Sequence, residues 1–154
     1  MCTALSISSS EGKYFFGRNM DLAYTFNQSV IMIPRSYQFK DIVTGNMITN
    51  KRAILGMGTV IDNHPTIADG MNENGLAAAG LNFAGYAFFE EKVALGKTNI
   101  PPYDFIQWVL SNHDTVDEVK KSIENIELVD IPLNEKTPCP TLHWMISDKS
   151  GKSI

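Results

Sequence analysis

The chain has 154 residues, of which 44% are hydrophobic and 19% are charged, and its formal net charge is −4. This composition is typical of a globular domain and excludes a disordered or fibrous chain. Because the chain is acidic and its lysines and arginines are scattered, nucleic acid and anionic membrane surfaces are not expected as partners. No apolar stretch reaches the roughly 18 residues that a membrane-spanning helix needs.

The first half of the chain predicts β-structure. Residues 2–8 alternate between polar and apolar, residues 8–12 have the composition of a turn, and residues 14–21 predict the returning strand of a hairpin. Further strands are predicted at 30–33, where Pro34 marks the end, at 53–61 and at 76–83. Asn74-Gly75 precedes the last of these and is the strongest short hairpin signal.

Two helices are predicted next. Pro101-Pro102 opens a run with apolar residues at helical spacing, which closes near residue 112. Thr115 and Glu118 form a capping box, in which Thr115 caps the second helix and Glu118 reaches back. We expect the apolar stripe of this helix to consist of Val119, Ile123 and Ile126.

The chain returns to β-structure near its end. Residues 141–147 predict a strand, residues 148–151 a turn, and residues 153–154 the start of a partner strand. The order of strands, two helices and further strands predicts an α+β fold with mostly antiparallel pairing.

Cys2 is the first candidate for chemistry. If Met1 were trimmed, the Cys2 thiol would share its residue with a free α-amine, whose ordinary pKa is about 7.7–8.0. A nucleophile and a base would then occupy one residue. The alternative is that Cys2 is a small hydrophobic residue in a strand.

Arg18 and Asp21 lie where the predicted hairpin returns toward Cys2. A guanidinium close to a thiol stabilises the thiolate, and a nearby carboxylate can hold the amine in place. The alternative is a solvated ion pair of little energetic value. The second cysteine, Cys139, is distant in sequence, so neither a disulfide framework nor a paired metal motif is indicated.

Four segments carry a resemblance to the choloylglycine hydrolase family, which includes bile salt hydrolases and penicillin V acylases. They are MCT at 1–3, FGRNMD at 16–21, ADGMNENGLAAAGLNF at 68–83 and LHWMISDKSGKSI at 142–154. The resemblance implies an Ntn-hydrolase-type four-layer αββα sandwich, incomplete in this chain. Residues 1–154 would be the N-terminal portion of a single domain, because relatives continue for about as many residues again.

The resemblance also implies roles for individual residues. Cys2 would be the nucleophile, Arg18 the activator of the thiol, Asp21 the residue that positions the amine, and Asn82 an oxyanion-hole donor through its side-chain amide. The alternative for Asn82 is a strand-end residue that bonds to local groups. The penicillin acylase branch tends to have tyrosine at the position of Asn82, so we expect an amide hydrolase of glycine- or taurine-conjugated bile acids.

The steroid pocket of similar enzymes implies five substrate-binding residues, each of which could instead be ordinary core: Met20, Phe26, Ile61, Ala68 and Leu133. A cytoplasmic homo-oligomer, a tetramer by resemblance, is expected, without cofactor or metal. Alternatives are penicillin V or another N-acyl compound as substrate, or an inactive truncated fragment with exposed apolar sheet faces and a bare strand edge.

Overall fold

The structure is a computed structural model that describes residues 2–154. These residues form eleven strands and two α-helices in the following order: β1 (Thr3–Ser8), β2 (Tyr14–Asn19), β3 (Ser29–Ile33), β4 (Gln38–Lys40), β5 (Met47–Thr49), β6 (Ile54–Ile61), β7 (His64–Asn72), β8 (Ala77–Asn82), β9 (Thr98–Ile100), α1 (Phe105–Asn112), α2 (Val116–Ser122), β10 (Ile126–Leu128) and β11 (Leu142–Ser147).

A five-stranded antiparallel sheet in the order β11-β8-β7-β6-β3 forms the centre of the fold. Helix α1 packs on β7 and β8. The buried core lies between them and includes Ile67, Ile106, Leu110 and Ile146. Since burying such side chains contributes roughly 1.5–3 kcal/mol each, this layer holds the helices to the sheet. No helix within residues 2–154 is both long and apolar enough to cross a membrane.

The opening hairpin is confirmed. β1 pairs antiparallel with β2, with Thr3 opposite Asn19 and Ala4 opposite Arg18. It lies across β8, and the side-chain oxygens of Ser6 and Ser147 are 3.1 Å apart. Helices on one face of a five-stranded sheet, with a separate two-stranded hairpin across its other face, therefore give an α+β arrangement with mostly antiparallel pairing.

Much of the hairpin-side face of the sheet is open, as expected for an incomplete sandwich. Met32, Leu55 and Met71 occupy paired positions on β3, β6 and β7, so they share one face. They are exposed, as is Val30 on the edge strand β3.

The two turns beside β7 differ from each other. The turn after β6 has Asp62 and Asn63 at positive φ, as a two-residue turn requires. The turn after β7 has positive φ only at Gly75, and the amide of Asn72 bonds to the carbonyl of Leu76 around three residues. The hairpin that Asn74-Gly75 indicated is therefore present, but with a longer loop.

Both predicted helices are confirmed, with one correction. The hydroxyl of Thr115 accepts a hydrogen bond from the Glu118 amide at 3.2 Å, and Glu118 reaches back to the Asp114 amide at 2.7 Å. The predicted stripe of Val119, Ile123 and Ile126 is only partly right. Because α2 ends at Ser122, Ile123 is 39% exposed and Ile126 instead begins β10.

The predicted return at the chain end is present. The amide and carbonyl of Ile154 bond to Ile146 at 3.0 and 2.9 Å, next to a bridge between Ser147 and Ser153. The sequence did not indicate the three-residue strands: β4 with β5, and the parallel pair β9 with β10. They are too short to show a period-two pattern.

Candidate active site

Cys2 lies directly before β1, where the register of the hairpin brings it close to the residues after β2. Thr3 pairs with Asn19, so the chain around residues 20 and 21 continues alongside Cys2. Cys2 is half-buried and is a free thiol. The removal of Met1 concerns a residue outside the described range.

The surroundings of Cys2 favour the thiolate. Burial raises the pKa of the Cys2 thiol, but the backbone amides of Asn82 and Asp21 and the charge of Arg18 lower it, and the net effect is a lowered pKa. A lowered thiol pKa increases the fraction of the nucleophilic form at neutral pH. The two backbone amides come from different layers, the hairpin and the sheet, so the thiol lies where these layers meet.

Arg18 joins the hairpin to β7 and β8. Its side chain is 7% exposed. Nη2 donates hydrogen bonds to the carbonyl of Gly80 at 2.7 Å and to that of Ala68 at 3.3 Å. Nε lies 3.0 Å from Oδ2 of Asp69. Nη1 is buried and has no hydrogen-bond partner among residues 2–154.

Asn82 reaches Cys2 through its main chain. It is the last residue of β8 and pairs with Leu142 of β11. Its Oδ1 accepts a hydrogen bond from the Thr141 hydroxyl at 3.1 Å, which leaves the amide nitrogen as the donor end of the side chain. The sequence indicated the side-chain amide as the functional group, whereas the contact with the sulfur involves the backbone amide.

The five predicted pocket residues are all half-buried. Ala68 contacts Arg18 through its carbonyl. The residues that follow Ile61 and Leu133 are in contact, because Nδ2 of Asn134 donates a hydrogen bond to Oδ2 of Asp62 at 3.2 Å. Antiparallel pairing puts the turn after β6 and the end of β8 at the same edge of the sheet, so Ile61 and Asn82 share this edge.

Met20 lies between Arg18 and Asp21 in the sequence, and Phe26 follows in the irregular segment before β3. Two cavities are seen elsewhere, on the helix side. One of about 420 Å³ is lined by residues including Phe105 and Trp144, and one of about 550 Å³ by residues including Trp108 and His113. Neither includes Cys2.

Asp69 is a residue of this site that the sequence analysis did not single out. The signal was a carboxylate in the middle of a strand whose neighbours are apolar or small, a position where charged residues are rarely found without a partner. Its partner is Arg18, and the segment that carries both Ala68 and Asp69 is the third of the four that resemble the choloylglycine hydrolases.

A hairpin lies over one face of an antiparallel sheet and helices cover the other face, with a free thiol just before the hairpin. This arrangement is that of an N-terminal nucleophile hydrolase. The model of the linear amide C–N hydrolases, choloylglycine hydrolase family, matches residues 2–154. The chain belongs to this family.

Individual relatives agree with the family match. The chain is 52% identical over 154 residues to a bile salt hydrolase/transferase of Clostridium perfringens (strain 13 / Type A), covering 100% of this chain and 47% of the relative. The crystal structure of the C2A mutant of a conjugated bile acid hydrolase from Clostridium perfringens matches with a TM-score of 0.94 at 51% identity, over 100% of this chain and 47% of that one.

A penicillin V acylase structure from Agrobacterium tumefaciens matches with a TM-score of 0.74 at 23% identity, over 99% of this chain and 45% of that one, and this likeness shows the fold alone. The chain thus spans about half the length of the relatives it matches.

Proposed function

We propose that this chain carries the nucleophile half of the active site of an enzyme that hydrolyses the amide bond of glycine- or taurine-conjugated bile acids. The observation that carries the proposal is the half-buried thiol of Cys2, whose pKa is lowered by two backbone amides and by Arg18. The bile salt hydrolase/transferase of Clostridium perfringens, 52% identical over the whole chain, supports the substrate class.

The reaction has two steps. The Cys2 thiolate attacks the amide carbonyl, the tetrahedral intermediate collapses, and the C–N bond breaks as the leaving amine takes a proton. This leaves a thioester between Cys2 and the bile acid. Water then adds to the thioester, which releases the carboxylic acid and returns the proton to the thiol. In this proposal the α-amine of Cys2, freed by removal of Met1, carries the proton between the steps.

The other three residues have distinct roles. Arg18 stabilises the thiolate through its charge, and Asp21 holds the amine in place. Asn82 donates to the oxygen of the intermediate through its backbone or side-chain amide. One such donor typically contributes about 2.7–4 kcal/mol of transition-state stabilisation.

The steroid would lie along the end of the sheet where β6 finishes at Ile61 and β8 finishes at Asn82. Met20, Phe26, Ala68 and Leu133 complete the proposed apolar contacts, since a sterol amide needs an apolar surface with few polar groups. All five residues are half-buried, which leaves part of each side chain open to a ligand.

Two alternatives remain. The first is hydrolysis of penicillin V or another N-acyl compound, because the family description specifies a linear amide C–N bond and leaves the acyl group open. The second is an inactive fragment, favoured by the exposed apolar side chains of Val30, Met32, Leu55 and Met71.

The proposal further includes one continuous domain over residues 1–154, a cytoplasmic setting consistent with two free thiols, and a homotetramer, which light scattering would test.

Turnover assays test the proposal. The 154-residue chain and the natural protein that carries it are each incubated with glycocholate, taurocholate and penicillin V, and the released amine is quantified. We expect the natural protein to cleave the bile amides faster than penicillin V. An acid quench should trap the thioester on Cys2, and intact mass shows whether Met1 is removed.

Matched cysteine variants complete the test. Cys2→Ala should abolish turnover, whereas Cys139→Ala should retain it, because burial raises the pKa of the Cys139 thiol to about 12 and its Sγ contacts the Ile131 carbonyl at 3.1 Å. Continued turnover by Cys2→Ala would overturn the assignment of the nucleophile. Activity of the natural protein without activity of the 154-residue chain would support the fragment alternative for the latter.

A further inference from the structure

Asp69 contacts Arg18 because of an irregularity in β7. Met57 of β6 pairs with Asp69, but the next residue, Gly58, pairs with Ile67. Ala68 is therefore the extra residue of a β-bulge. Such a bulge leaves one residue out of the regular ladder and re-aims the side chains beyond it.

The bulge puts Asp69 and Ile67 on opposite faces of β7. Side chains alternate between the two faces of a strand, so residues five apart should lie on opposite faces. Ile67 is nevertheless in the helix-side core, and Asn72 bonds to carbonyls of α1 and its C-cap. The alternation is thus reset between them. Without the bulge, Asp69 and Ile67 would share one face, so either Asp69 would enter the apolar core or Ile67 would leave it. With it, Asp69 faces the hairpin.

The same bulge provides a second contact. Because Ala68 is unpaired in the β6–β7 ladder, its carbonyl is free to accept from Arg18 Nη2 at 3.3 Å. The Gly80 carbonyl accepts from the same nitrogen at 2.7 Å, and the Asp69 carboxylate lies 3.0 Å from Nε. The guanidinium is therefore held by two hydrogen bonds at Nη2 and by an ion pair at Nε that makes no hydrogen bond, and Nη1 has no hydrogen-bond partner among residues 2–154.

Asp69 is itself held. Burial raises the pKa of its carboxyl, while the charge of Arg18 and a hydrogen bond from the Met57 amide counteract this. Its side chain is 21% exposed, so it is far less free to rotate than a surface carboxylate. The Asp69 carboxylate is held by Met57 of β6, so it can orient the guanidinium of Arg18, which reaches it from the hairpin.

We propose that Asp69 is a positioning residue for the reaction: the bulge at Ala68 brings its carboxylate onto the hairpin face, where it orients Arg18 toward Cys2. This inference rests on the proposed function, in which Arg18 stabilises the Cys2 thiolate. Asp69 touches neither the thiol nor the substrate in this role and acts through Arg18.

A simpler role for Asp69 makes the opposite prediction. If Asp69 only neutralised Arg18, removal of its charge would strengthen the positive potential at the sulfur and lower the pKa of the thiol. If Asp69 positions Arg18, its loss lets the guanidinium move away and the pKa of the thiol rises. The sign of the change separates the two roles.

The test is the pH dependence of Cys2 alkylation by iodoacetamide, followed by mass spectrometry of the Cys2 peptide in the full 154-residue chain. Alkylation reports the thiolate and needs no turnover. Cys139 in the same chain is an internal reference, because burial raises its thiol pKa to about 12. Variants are Asp69→Asn, Arg18→Leu and the double variant. Asp117→Asn is the matched control, because this exposed carboxylate on α2 pairs with Lys152.

We expect Asp69→Asn to raise the Cys2 pKa by about one, which is roughly tenfold slower alkylation at neutral pH. Arg18→Leu should raise it at least as much, Asp69→Asn should add nothing in the Arg18→Leu background, and Asp117→Asn should have no effect. Circular dichroism checks the fold, and Asp69→Ser, a smaller side chain with the same expected result, replaces Asp69→Asn if that variant does not fold.

Three results would overturn the positioning role: a lowered pKa in Asp69→Asn, an unchanged pKa, or an equal rise with and without Arg18. An unchanged pKa in Arg18→Leu is a different failure. It would remove the activation of Cys2 by Arg18 on which the proposed function depends, whatever Asp69 does.

Discussion

The hydrogen bonds of Asn72 predict that its replacement lowers the stability of the fold. It is 3% exposed and joins the hairpin of β7 and β8 to helix α1. Its Nδ2 donates to the carbonyls of Leu110 at 2.9 Å and His113 at 2.7 Å, and its Oδ1 accepts from the amides of Asn74 and Leu76, each at 3.0 Å. The last carbonyls of a helix have no partner within it, so Asn72 satisfies groups at the end of α1.

Replacement by alanine removes all four bonds. A buried polar group left without a partner costs about 1–3 kcal/mol, and the groups at Leu76, Leu110 and His113 are buried. We therefore expect Asn72→Ala to lower the free energy of unfolding by about 3 kcal/mol, after partial compensation by water. This is a large fraction of the roughly 5–15 kcal/mol that stabilises an ordinary domain.

Urea unfolding followed by tryptophan fluorescence measures this loss. With a slope of about 2 kcal/mol per molar urea, the midpoint should fall by about 1.5 M. Asn72→Asp keeps the shape but cannot donate to the two carbonyls, so it should be destabilised as well. Asn46→Ala, at an exposed turn position, should stay within about 0.5 kcal/mol of wild type. A loss below about 1 kcal/mol in Asn72→Ala would refute the reasoning.

Three smaller predictions concern caps, turns and charge. Thr115→Ala should cost about 1 kcal/mol of unfolding free energy, and Thr115→Ser should retain most of it, because the N-cap needs only the hydroxyl. Chemical unfolding of both variants checks this, and equal losses would contradict it. Gly75→Ala should cost about 1 kcal/mol in the same assay, because φ is +88° and the new Cβ would lie 3.3 Å from Cβ of Lys149; an unchanged midpoint would contradict it. The Arg52 ion pair holds the pKa of the Asp114 carboxyl at about 2, below its unfolded value of about 3.9. Since a depressed carboxyl pKa stabilises the fold only above the unfolded value, this contribution is present above about pH 4 and is lost as the pH falls toward 2. The midpoint temperature of thermal unfolding should therefore fall less steeply between pH 7 and pH 2 in Asp114→Asn than in wild type.

Much of the fold follows from local signals. The opening hairpin was predictable because residues 2–8 alternate in polarity and the turn residues at 8–12 set the point of return. The start of α2 was predictable because Thr115 and Glu118 satisfy helix-end groups within four residues of each other. Such signals depend on neighbours in sequence, which any single sequence displays.

Features that depend on distant partners were not predictable in this way. The bulge at Ala68 is a matter of register between β6 and β7, and nothing in the local composition separates a bulged strand from a regular one. The exposure of Ile123 depends on where α2 ends against the sheet. The backbone contact of Asn82 with the Cys2 thiol depends on how the hairpin lies across β8. The spacing of residues along the sequence does not predict this packing.

The placement of Arg18 links the fold to the chemistry. A buried ion pair pays a desolvation cost that can exceed its attraction, so the pair with Asp69 is weak evidence for added stability. Ser6 and Ser147, 3.1 Å apart, already tie the hairpin to β11. The contacts of Arg18 instead set the orientation of its guanidinium, which touches two carbonyls and one carboxylate. The bulged segment of β7 provides two of these groups, the Ala68 carbonyl and the Asp69 carboxylate. An interruption in the ladder of β7 would have little purpose in a sheet built only for stability. It is expected where a strand must present a charge to the opposite layer, and that layer carries Cys2.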